Sequence, residues 1–404
     1  MISRIFPAPM ILTALAVAAL SCSLWAPPDQ PRGRNIFPPG ELLVVHGLGE
    51  TLSAIELDEQ GAFLDHDPDI ISLGAVPNAL TSDGDELAVT LSGENSLLFL
   101  DKKYLKPGDP PAVALGSGVN PMHTVVLKPG LYGTTGFFTT RVHLSQRNGG
   151  EPFLSEPLNT GPAPQAVIVL PGEGLDNQMR LVIANTGYSS TRPASSPFGP
   201  ASLSLFVLSI TGAPGAWEVT VAESVLIDLE APDHDEQQDS GLNPVALIDT
   251  ALIDPAVNEI LVICSGVNYG SGNTNDGTLL VLDRTTLAVT RRIFLGGSPG
   301  AGVMVARSGG SHTLFTVGTK AIRSLDRAGD GSGWDENSLR IEYTAGGGLP
   351  FLADIAVRND SLYAADFGND QILRFKVDGE GGLKGPEEIL SVSDGPAVLM
   401  IQEH

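Results

Sequence analysis

The chain has 404 residues, with 47 acidic against 23 basic side chains, and its formal net charge at pH 7 is −24. So acidic a surface repels phosphate backbones, which excludes the usual nucleic-acid-binding classes because these need clustered Lys and Arg. Glycine (47 residues) and proline (30 residues) are abundant, a composition typical of an all-β protein with many short strands and turns.

Residues 1–21 resemble an export signal peptide. Arg4 gives a positive start, and the apolar run Met10–Leu20 has the length of a signal core but is too short to span a bilayer. The run ends at Ser21-Cys22, which resembles a bacterial lipobox, where signal peptidase II cuts before a cysteine that then carries lipid. We therefore expect lipid on Cys22, with ordinary cleavage by signal peptidase I as the alternative.

Residues 22–40 are rich in proline and polar side chains. Such a segment buries too little apolar surface to fold, so we predict a flexible tether. Together with the lipid, this predicts an exported, membrane-anchored lipoprotein at the periplasmic face or the outer membrane. Ser23 after the cysteine favours the outer membrane.

Residues 41–404 contain seven repeats of four predicted strands, A to D, with about 52 residues per repeat. The B strands, such as Leu87–Thr90 and Ile260–Ile263, are apolar on both faces. This pattern is expected when each sheet packs between two neighbouring sheets, whereas the strands of a β-sandwich alternate apolar and polar side chains. The sequence therefore predicts a seven-bladed β-propeller with four-stranded blades.

The two ends of this region complete one repeat between them. The segment Glu41–Leu73 supplies strands B, C and D of the first blade, and its A strand is found only at Ala397–Gln402. We therefore predict a ring closed by the C-terminal strand, which hides both free sheet edges. Asp residues that follow the C strands are predicted to accept backbone N–H groups in the next turn: Asp58, Asp101, Asp283, Asp326 and Asp378.

Two segments carry a family resemblance. Leu87–Asp101 resembles the repeat of YncE-like (YVTN-type) propellers, and Leu362–Ile372 is similar to that repeat and to NHL-type repeats. The resemblance implies the propeller architecture. It implies no single activity, because such propellers include binding modules, lactonases and redox enzymes.

Three long insertions distinguish blades four and five. Tyr188–Pro200, Glu230–Gly241 and Asn268–Gly277 all connect strands on one side of the predicted ring, where propellers commonly place function. The acids around Asp235 match no EF-hand spacing, so no metal site is predicted. We expect ligand binding through these residues: Tyr188, Phe198, Asp235, Asn268, Tyr269 and Asn275.

The axial channel is the other candidate site. The predicted A strands bring Asn78, His123, Gln165, Asn243 and Asp354 towards its mouth. Asp354 and Asp366 sit in repeat positions similar to those of the acid and amide side chains in metal-dependent lactonases of the SMP-30 type, which the second segment also resembles. These groups suggest the alternative function, a metal-dependent hydrolase such as a lactonase.

The sequence contains no CxxC or HExxH motif, and neither a cofactor nor a catalytic residue is assigned. Cys264 lies in an apolar run and is predicted to be a buried structural thiol. The sequence favours a monomeric binding or scaffold module that acts on an envelope protein or a small-molecule ligand.

Overall fold

A computed structural model describes residues 37–148, 150–154, 156–171, 177–192, 198–229, 242–266, 276–347 and 351–402. Within these ranges the chain forms 29 strands and two 3₁₀ turns, Thr250–Leu252 and Ser308–Gly310, and no α-helix. The strands form seven antiparallel sheets.

The strands of blades two to four follow the repeat order A to D, and blade one begins at strand B because its strand A comes from the C-terminal end. Blade one contains β1 (Leu42–His46), β2 (Thr51–Leu57) and β3 (Phe63–Ser72), and blade two contains β4 (Pro77–Asp83), β5 (Glu86–Leu91), β6 (Ser96–Asp101) and β7 (Lys106–Ala114). Blade three contains β8 (Pro121–Lys128), β9 (Leu131–Gly136), β10 (Arg141–Asn148), β11 (Gly150–Leu154) and β12 (Leu158–Asn159). Blade four contains β13 (Pro164–Pro171), β14 (Gln178–Asn185), β15 (Ser202–Thr211) and β16 (Glu218–Asp228). In blade three, β11 and β12 both pair with β10 and share the place of strand D.

The remaining blades have the same order. Blade five contains β17 (Pro244–Asp249), β18 (Glu259–Cys264), β19 (Thr278–Asp283) and β20 (Val289–Phe294). Blade six contains β21 (Ala301–Ala306), β22 (His312–Gly318), β23 (Ala321–Ala328) and β24 (Gly333–Thr344). Blade seven contains β25 (Leu352–Arg358), β26 (Ser361–Asp366), β27 (Gln371–Val377) and β28 (Leu383–Ser391), and β29 (Pro396–Ile401) ends the chain's strands.

The seven sheets form a ring around the A strands. Each A strand contacts the next in the cyclic order β29, β4, β8, β13, β17, β21 and β25, and β25 contacts β29 again. The core is divided in the same way, because each apolar cluster lies between two adjacent blades; Val182 of blade four, for example, packs with Ile260 and Val262 of blade five. The predicted seven-bladed β-propeller is confirmed.

The B strands are buried because a neighbouring blade covers each of their faces. Strands β9, β22 and β26 are buried along their whole length, whereas β16 at the outer edge is largely exposed. Cys264 in β18 is fully buried, as predicted, and burial raises the pKa of its thiol. This thiol therefore stays protonated and unreactive.

The C-terminal strand closes the ring, as predicted. Strand β29 pairs antiparallel with β1, with Leu399 opposite Val44 and Ile401 opposite Leu42. Just beyond these pairs, the Gln402 N–H donates to the Glu41 carbonyl at 2.9 Å. Blade one is therefore assembled from both ends of the propeller segment.

A buried histidine stabilises the junction at which the C-terminal segment closes blade one. His46 Nδ1 bonds to the Ser393 carbonyl at 3.0 Å, and Nε2 bonds to Ser53 Oγ at 2.8 Å. The Ser53–His46 pair has the spacing of a nucleophile and its base, but both side chains are fully buried and Ser53 Oγ also accepts the Asp69 N–H. This pair is therefore structural.

The end of the predicted tether belongs to the folded part. Phe37 is buried between blades one and two, and its N–H donates to the Lys103 carbonyl at 2.9 Å. Gly40 donates to the Gln402 carbonyl at 2.6 Å. Residues 37–40 thus pack on the ring, because Phe37 supplies apolar surface that a purely polar segment lacks.

Four of the five predicted turn aspartates accept backbone N–H groups in the turn that follows them: Asp58, Asp101, Asp283 and Asp378. The fifth, Asp326, differs. Its carboxylate accepts Thr313 Oγ1 at 2.8 Å and pairs with Arg340 and Arg307. The cationic neighbours from other strands outcompete the local turn for this side chain.

Candidate functional site

The strand order gives the ring two different sides. The A–B and C–D turns lie on one side, here called the lower face, and the B–C turns and D–A connections lie on the other, here called the upper face. The three insertions connect strands that end at the upper face. Asp235, Asn268, Tyr269 and Asn275 lie outside the described residues.

Four aromatic rings meet on the upper face where blades three and four adjoin. Phe137 and Phe138 come from the B–C turn of blade three, and Tyr188 and Phe198 come from the two ends of the blade-four insertion. The Tyr188 ring stacks on Phe137 with centroids 5.4 Å apart and contacts Phe198 edge-on at 5.3 Å. Phe138 lies 5.3 Å from Phe137 and 6.2 Å from Tyr188. We call these four side chains the aromatic cluster.

The base of the blade-four insertion holds its two aromatics in place. Tyr188 and Phe198 form an isolated antiparallel bridge, and the Arg192 guanidinium donates to the Phe198 carbonyl. Gly187 has a φ of +77° and packs against the Gly199 carbonyl, so a side chain at this position has no room. The described ends of the loop are therefore fixed, although its tip lies outside the described residues.

The aromatic cluster offers apolar surface to solvent. Phe138 is 58% exposed, and its three partners are half-buried. Hydroxyl groups border the rings, with Ser189 Oγ 2.8 Å from Thr191 Oγ1 and Thr139 Oγ1 3.1 Å from His143 Nε2. Grouped aromatic side chains with adjacent hydrogen-bonding groups are typical of protein interaction surfaces.

Sequence reasoning identified Tyr188 and Phe198 but missed their partners. Phe137 and Phe138 occupy a four-residue turn, and they meet Tyr188 only because blade three lies beside blade four. Two consecutive bulky apolar residues in a short turn were the available signal, since turns of this length usually contain Gly, Asn, Asp or Ser.

A second apolar patch lies on the upper face at blades seven and one. Phe351 and Phe367 meet edge to face with centroids 5.9 Å apart. Leu48, which is 68% exposed, lies beside them, since a Cβ on Gly395 would be 3.1 Å from Leu48 and 2.8 Å from Phe367. The upper face therefore has exposed apolar side chains on two sides of the channel mouth.

The starts of the A strands enclose a cavity of about 350 Å³ on the ring axis. Most of its wall is alanine, glycine and aliphatic side chains. Four of the predicted channel residues line it: Asn78, His123, Gln165 and Asp354.

His123 is a neutral hydrogen-bond donor in this cavity. Its Nδ1 accepts the backbone N–H of Val167 at 3.3 Å, so the proton of the neutral ring is on Nε2. Burial lowers the pKa of His123 to about 4. Nε2 has no hydrogen-bond partner among the described residues.

Asp354 occupies the same repeat position in blade seven. Oδ1 accepts the Ile355 N–H and Oδ2 accepts the Leu399 N–H of β29, each at 2.8 Å. Burial raises the pKa of Asp354 to about 6, although both N–H groups oppose the shift. His123 and Asp354 thus each connect their own A strand to the A strand of the next blade.

The structure places the other predicted channel residues in different environments. Asn78 lines the cavity and its amide donates to the Pro121 carbonyl at 3.1 Å. Asn243 does not line it, because β17 begins only at Pro244 and Val245 lines the cavity instead. The Asn243 amide donates to Ser265 Oγ at 2.6 Å. Asp366 is buried at the end of β26, where Oδ2 accepts the Asn369 amide at 2.8 Å.

In the described ranges, no three His, Cys, Asp or Glu side chains are grouped to hold a metal ion. No described helix is long and apolar enough to span a bilayer.

No family model and no curated protein matches the chain. Several solved structures share its fold. A proposed 6-phosphogluconolactonase from Bacteroides fragilis is 12% identical, with 93% of this chain and 99% of that chain covered at a TM-score of 0.55. Its counterpart from Bacteroides uniformis is 13% identical, with 91% and 99% covered and the same TM-score of 0.55. A functionally unknown protein from Desulfotomaculum acetoxidans is 13% identical, with 90% and 99% covered at a TM-score of 0.52. At such identities the likeness extends to the fold alone.

Proposed function

We propose that this protein is an envelope-anchored binding module that engages a partner protein through the upper face of blades three to five. The observation that carries the proposal is the aromatic cluster, in which four rings from two blades meet at the surface. Grouped apolar side chains at the surface, with one ring more than half exposed, are typical of interaction sites.

The composition of the adjoining insertions supports the same role. Residues 188–200 contain Tyr, Ser, Thr and Gly, and residues 267–277 contain Asn, Tyr, Gly and Ser. These residue types dominate the binding loops of antibodies, because tyrosine gives rigid contact area and the small polar residues give adaptable hydrogen bonds. The described ends of these loops adjoin the aromatic cluster or the neighbouring blade.

Anchoring rests on the amino-terminal sequence. A mature protein that begins with acylated Cys22 would be held at the membrane through a short tether, and two or three acyl chains suffice for stable anchoring. Mass spectrometry of the mature amino terminus tests this, and a start at another residue or an unmodified Cys22 would refute it. We also propose that the chain is a YncE-like propeller.

The binding surface is tested by crosslinking in envelope preparations, with partners quantified by mass spectrometry. The variant Phe138→Ser/Tyr188→Ser removes the centre of the aromatic cluster and is expected to reduce recovery of the specific partner at least tenfold. The control Leu64→Ser/Leu226→Ser removes two apolar side chains on β3 and β16 that are as exposed as Phe138, and it should leave recovery unchanged. Equal loss in both variants, or in neither, would refute the assigned surface.

Hydrolysis centred on the channel is the second candidate. His123 and Asp354 line one cavity, and two proteins of similar fold are proposed 6-phosphogluconolactonases. The described residues offer no group of three His, Cys, Asp or Glu side chains that would hold the divalent cation of a metal-dependent hydrolase. Turnover of a lactone panel with added divalent cations, abolished by His123→Ala and Asp354→Asn, would establish this function in place of binding.

A further inference from the structure

The axial cavity contains a carboxylate that no lining cation neutralises. Of its described lining residues only His123 and Asp354 are ionisable, and His123 is neutral. Burying a charge without a counter-ion is unfavourable. A positively charged ligand in the cavity would therefore be stabilised by the Asp354 carboxylate.

The strands that pack against β25 do not supply that charge. Strands β21 and β29 contain no ionisable side chain, β22 contributes only His312, and β26 contributes Tyr363 and Asp366, none of which is a cation that could pair with Asp354. None of the three acts on the pKa of Asp354, which responds to burial and to two backbone N–H groups. Arg358, at the far end of β25, donates to the Gly40 carbonyl at 2.8 Å.

Asp354 retains the capacity to bind a donor. Each of its oxygens accepts one backbone N–H, whereas an ionised carboxylate can accept about four hydrogen bonds in all. The two N–H groups also fix the orientation of the carboxylate, so a ligand meets a preorganised acceptor.

Blades two to four line the cavity with further polar groups. His123 Nε2 and the Gln165 amide have no hydrogen-bond partner among the described residues, and the Asn78 amide donates to a backbone carbonyl. The rest of the wall is mainly small and apolar, including Ala353 and Ala397. The cavity thus combines one anionic group, a few uncharged polar groups and room for a short alkyl chain.

We propose that the axial cavity is a binding site for a small primary ammonium compound with a short apolar chain, with Asp354 as the acceptor for the ammonium group. The cavity volume of about 350 Å³ is at the small end of ligand pockets, which span about 300–1,000 Å³. A small anion would be repelled by Asp354. A metal ion would lack ligands, since no group of three His, Cys, Asp or Glu side chains is found in the described part of the chain.

Three probes of similar size test the charge preference: n-butylammonium, butan-1-ol and butyrate. Titration of the purified protein at pH 8, followed by protein NMR or calorimetry, should show n-butylammonium binding at least about tenfold more tightly than butan-1-ol. Butyrate should bind weakest. Equal affinity for n-butylammonium and butan-1-ol would refute the proposal.

Acidification gives a test that needs no variant. An alkylammonium remains protonated between pH 8 and pH 5, so only the protein changes charge. Asp354 has a pKa of about 6, and the ionised fraction of about one tenth at pH 5 predicts about tenfold weaker binding of n-butylammonium. An unchanged affinity at pH 5 would exclude Asp354 as the acceptor.

Two variants and one control locate the site. Asp354→Asn should abolish the preference for n-butylammonium over butan-1-ol, whereas Asp85→Asn, at an exposed turn of the lower face, should retain it. Ala353→Leu fills the cavity and should weaken all probes while Asp354 keeps its charge, which covers the case in which Asp354→Asn does not fold. Retained binding in Ala353→Leu would overturn the proposal. These results are independent of the aromatic cluster, because Phe138→Ser/Tyr188→Ser should bind n-butylammonium normally.

Discussion

The two faces of the ring are built from the same repeat but stabilised differently. On the lower face, aspartates cap the turns and arginines reach from one blade to the next, as Arg327 does to Glu259 and Arg147 to Glu86. On the upper face, the exposed Phe138 and Phe351 each contact other aromatic rings, although exposed apolar side chains such as Leu252 also occur on the lower face. The comparison suggests that turn chemistry on one side holds the blades together and leaves the other side available for contacts outside the molecule.

The change with the largest expected effect on stability opens the ring, on which both faces depend. Removing residues 396–404 deletes β29, leaves β1 unpaired and exposes apolar residues that pack in two blade interfaces. We expect a loss well above about 5 kcal/mol in the free energy of unfolding, or failure to fold. Shortening the exposed turn at Gly331 is the control. Thermal unfolding measures both variants, and an unchanged melting temperature in the truncated protein would contradict the role of β29 in closing the ring.

The next effect is confined to the lower face. Asp249 is buried and receives two hydrogen bonds from Arg284, at 2.8 and 3.0 Å. Asp249→Ala removes the anionic partner of a largely buried guanidinium and should destabilise the protein by about 3–5 kcal/mol. Denaturant unfolding measures the loss. Partner recovery by the folded fraction should be unchanged, and a selective loss of binding would show that the faces are coupled.

The pH dependence of the free energy of unfolding distinguishes the contributions of His123 and Asp354, which lie near the channel mouth. The His123 pKa is about 4 in the folded state against an ordinary value of 6.5, so its contribution to stability falls as pH decreases from about 6.5 to about 4. Asp354 acts in the opposite direction, because its pKa is about 6 when folded against an ordinary value of 3.8, so its contribution falls as pH rises through about 6. Each is worth up to about 3 kcal/mol.

Urea unfolding between pH 4.5 and pH 7.5 tests both contributions. Relative to the wild type, Asp354→Asn should lose more stability on acidification, because the opposing group is gone. His123→Asn should lose less, since its amide oxygen keeps an acceptor for the Val167 N–H without titrating. Burial also lowers the pKa of His46, so the comparison is made between variants. Parallel pH curves for all three proteins would contradict the assignment.

The fold was predictable because each repeat has a local sequence pattern that indicates its strands. Apolar B strands, a proline at the start of five of the seven A strands and an A strand found only at the C-terminal end determine the blade count and the closure. The aromatic cluster was only half predictable, because Phe137 and Tyr188 are distant in sequence and meet across two blades. The predicted position of Asn243 was wrong, since its positive φ and the following proline leave Val245 at the axis.

The substitution with the smallest expected effect on stability tests whether the upper face serves binding and not folding. Phe138→Ala removes a ring that is 58% exposed and should change the free energy of unfolding by no more than about 0.5 kcal/mol. Partner binding should weaken at least tenfold, or about 1.4 kcal/mol, because the ring belongs to the proposed contact surface. Leu226→Ala on β16 is the matched control. A large loss of stability in Phe138→Ala would show that the cluster serves the fold.

The pairing of β1 with β29 also governs the order in which the protein can be completed. At about 5–20 residues per second, synthesis of 404 residues takes roughly 20–80 seconds, and β1 is made near the start whereas its partner is made last. Throughout that interval one edge of an apolar strand is available to other chains. The ring therefore cannot close until synthesis is complete, and this delay is not visible in the folded structure.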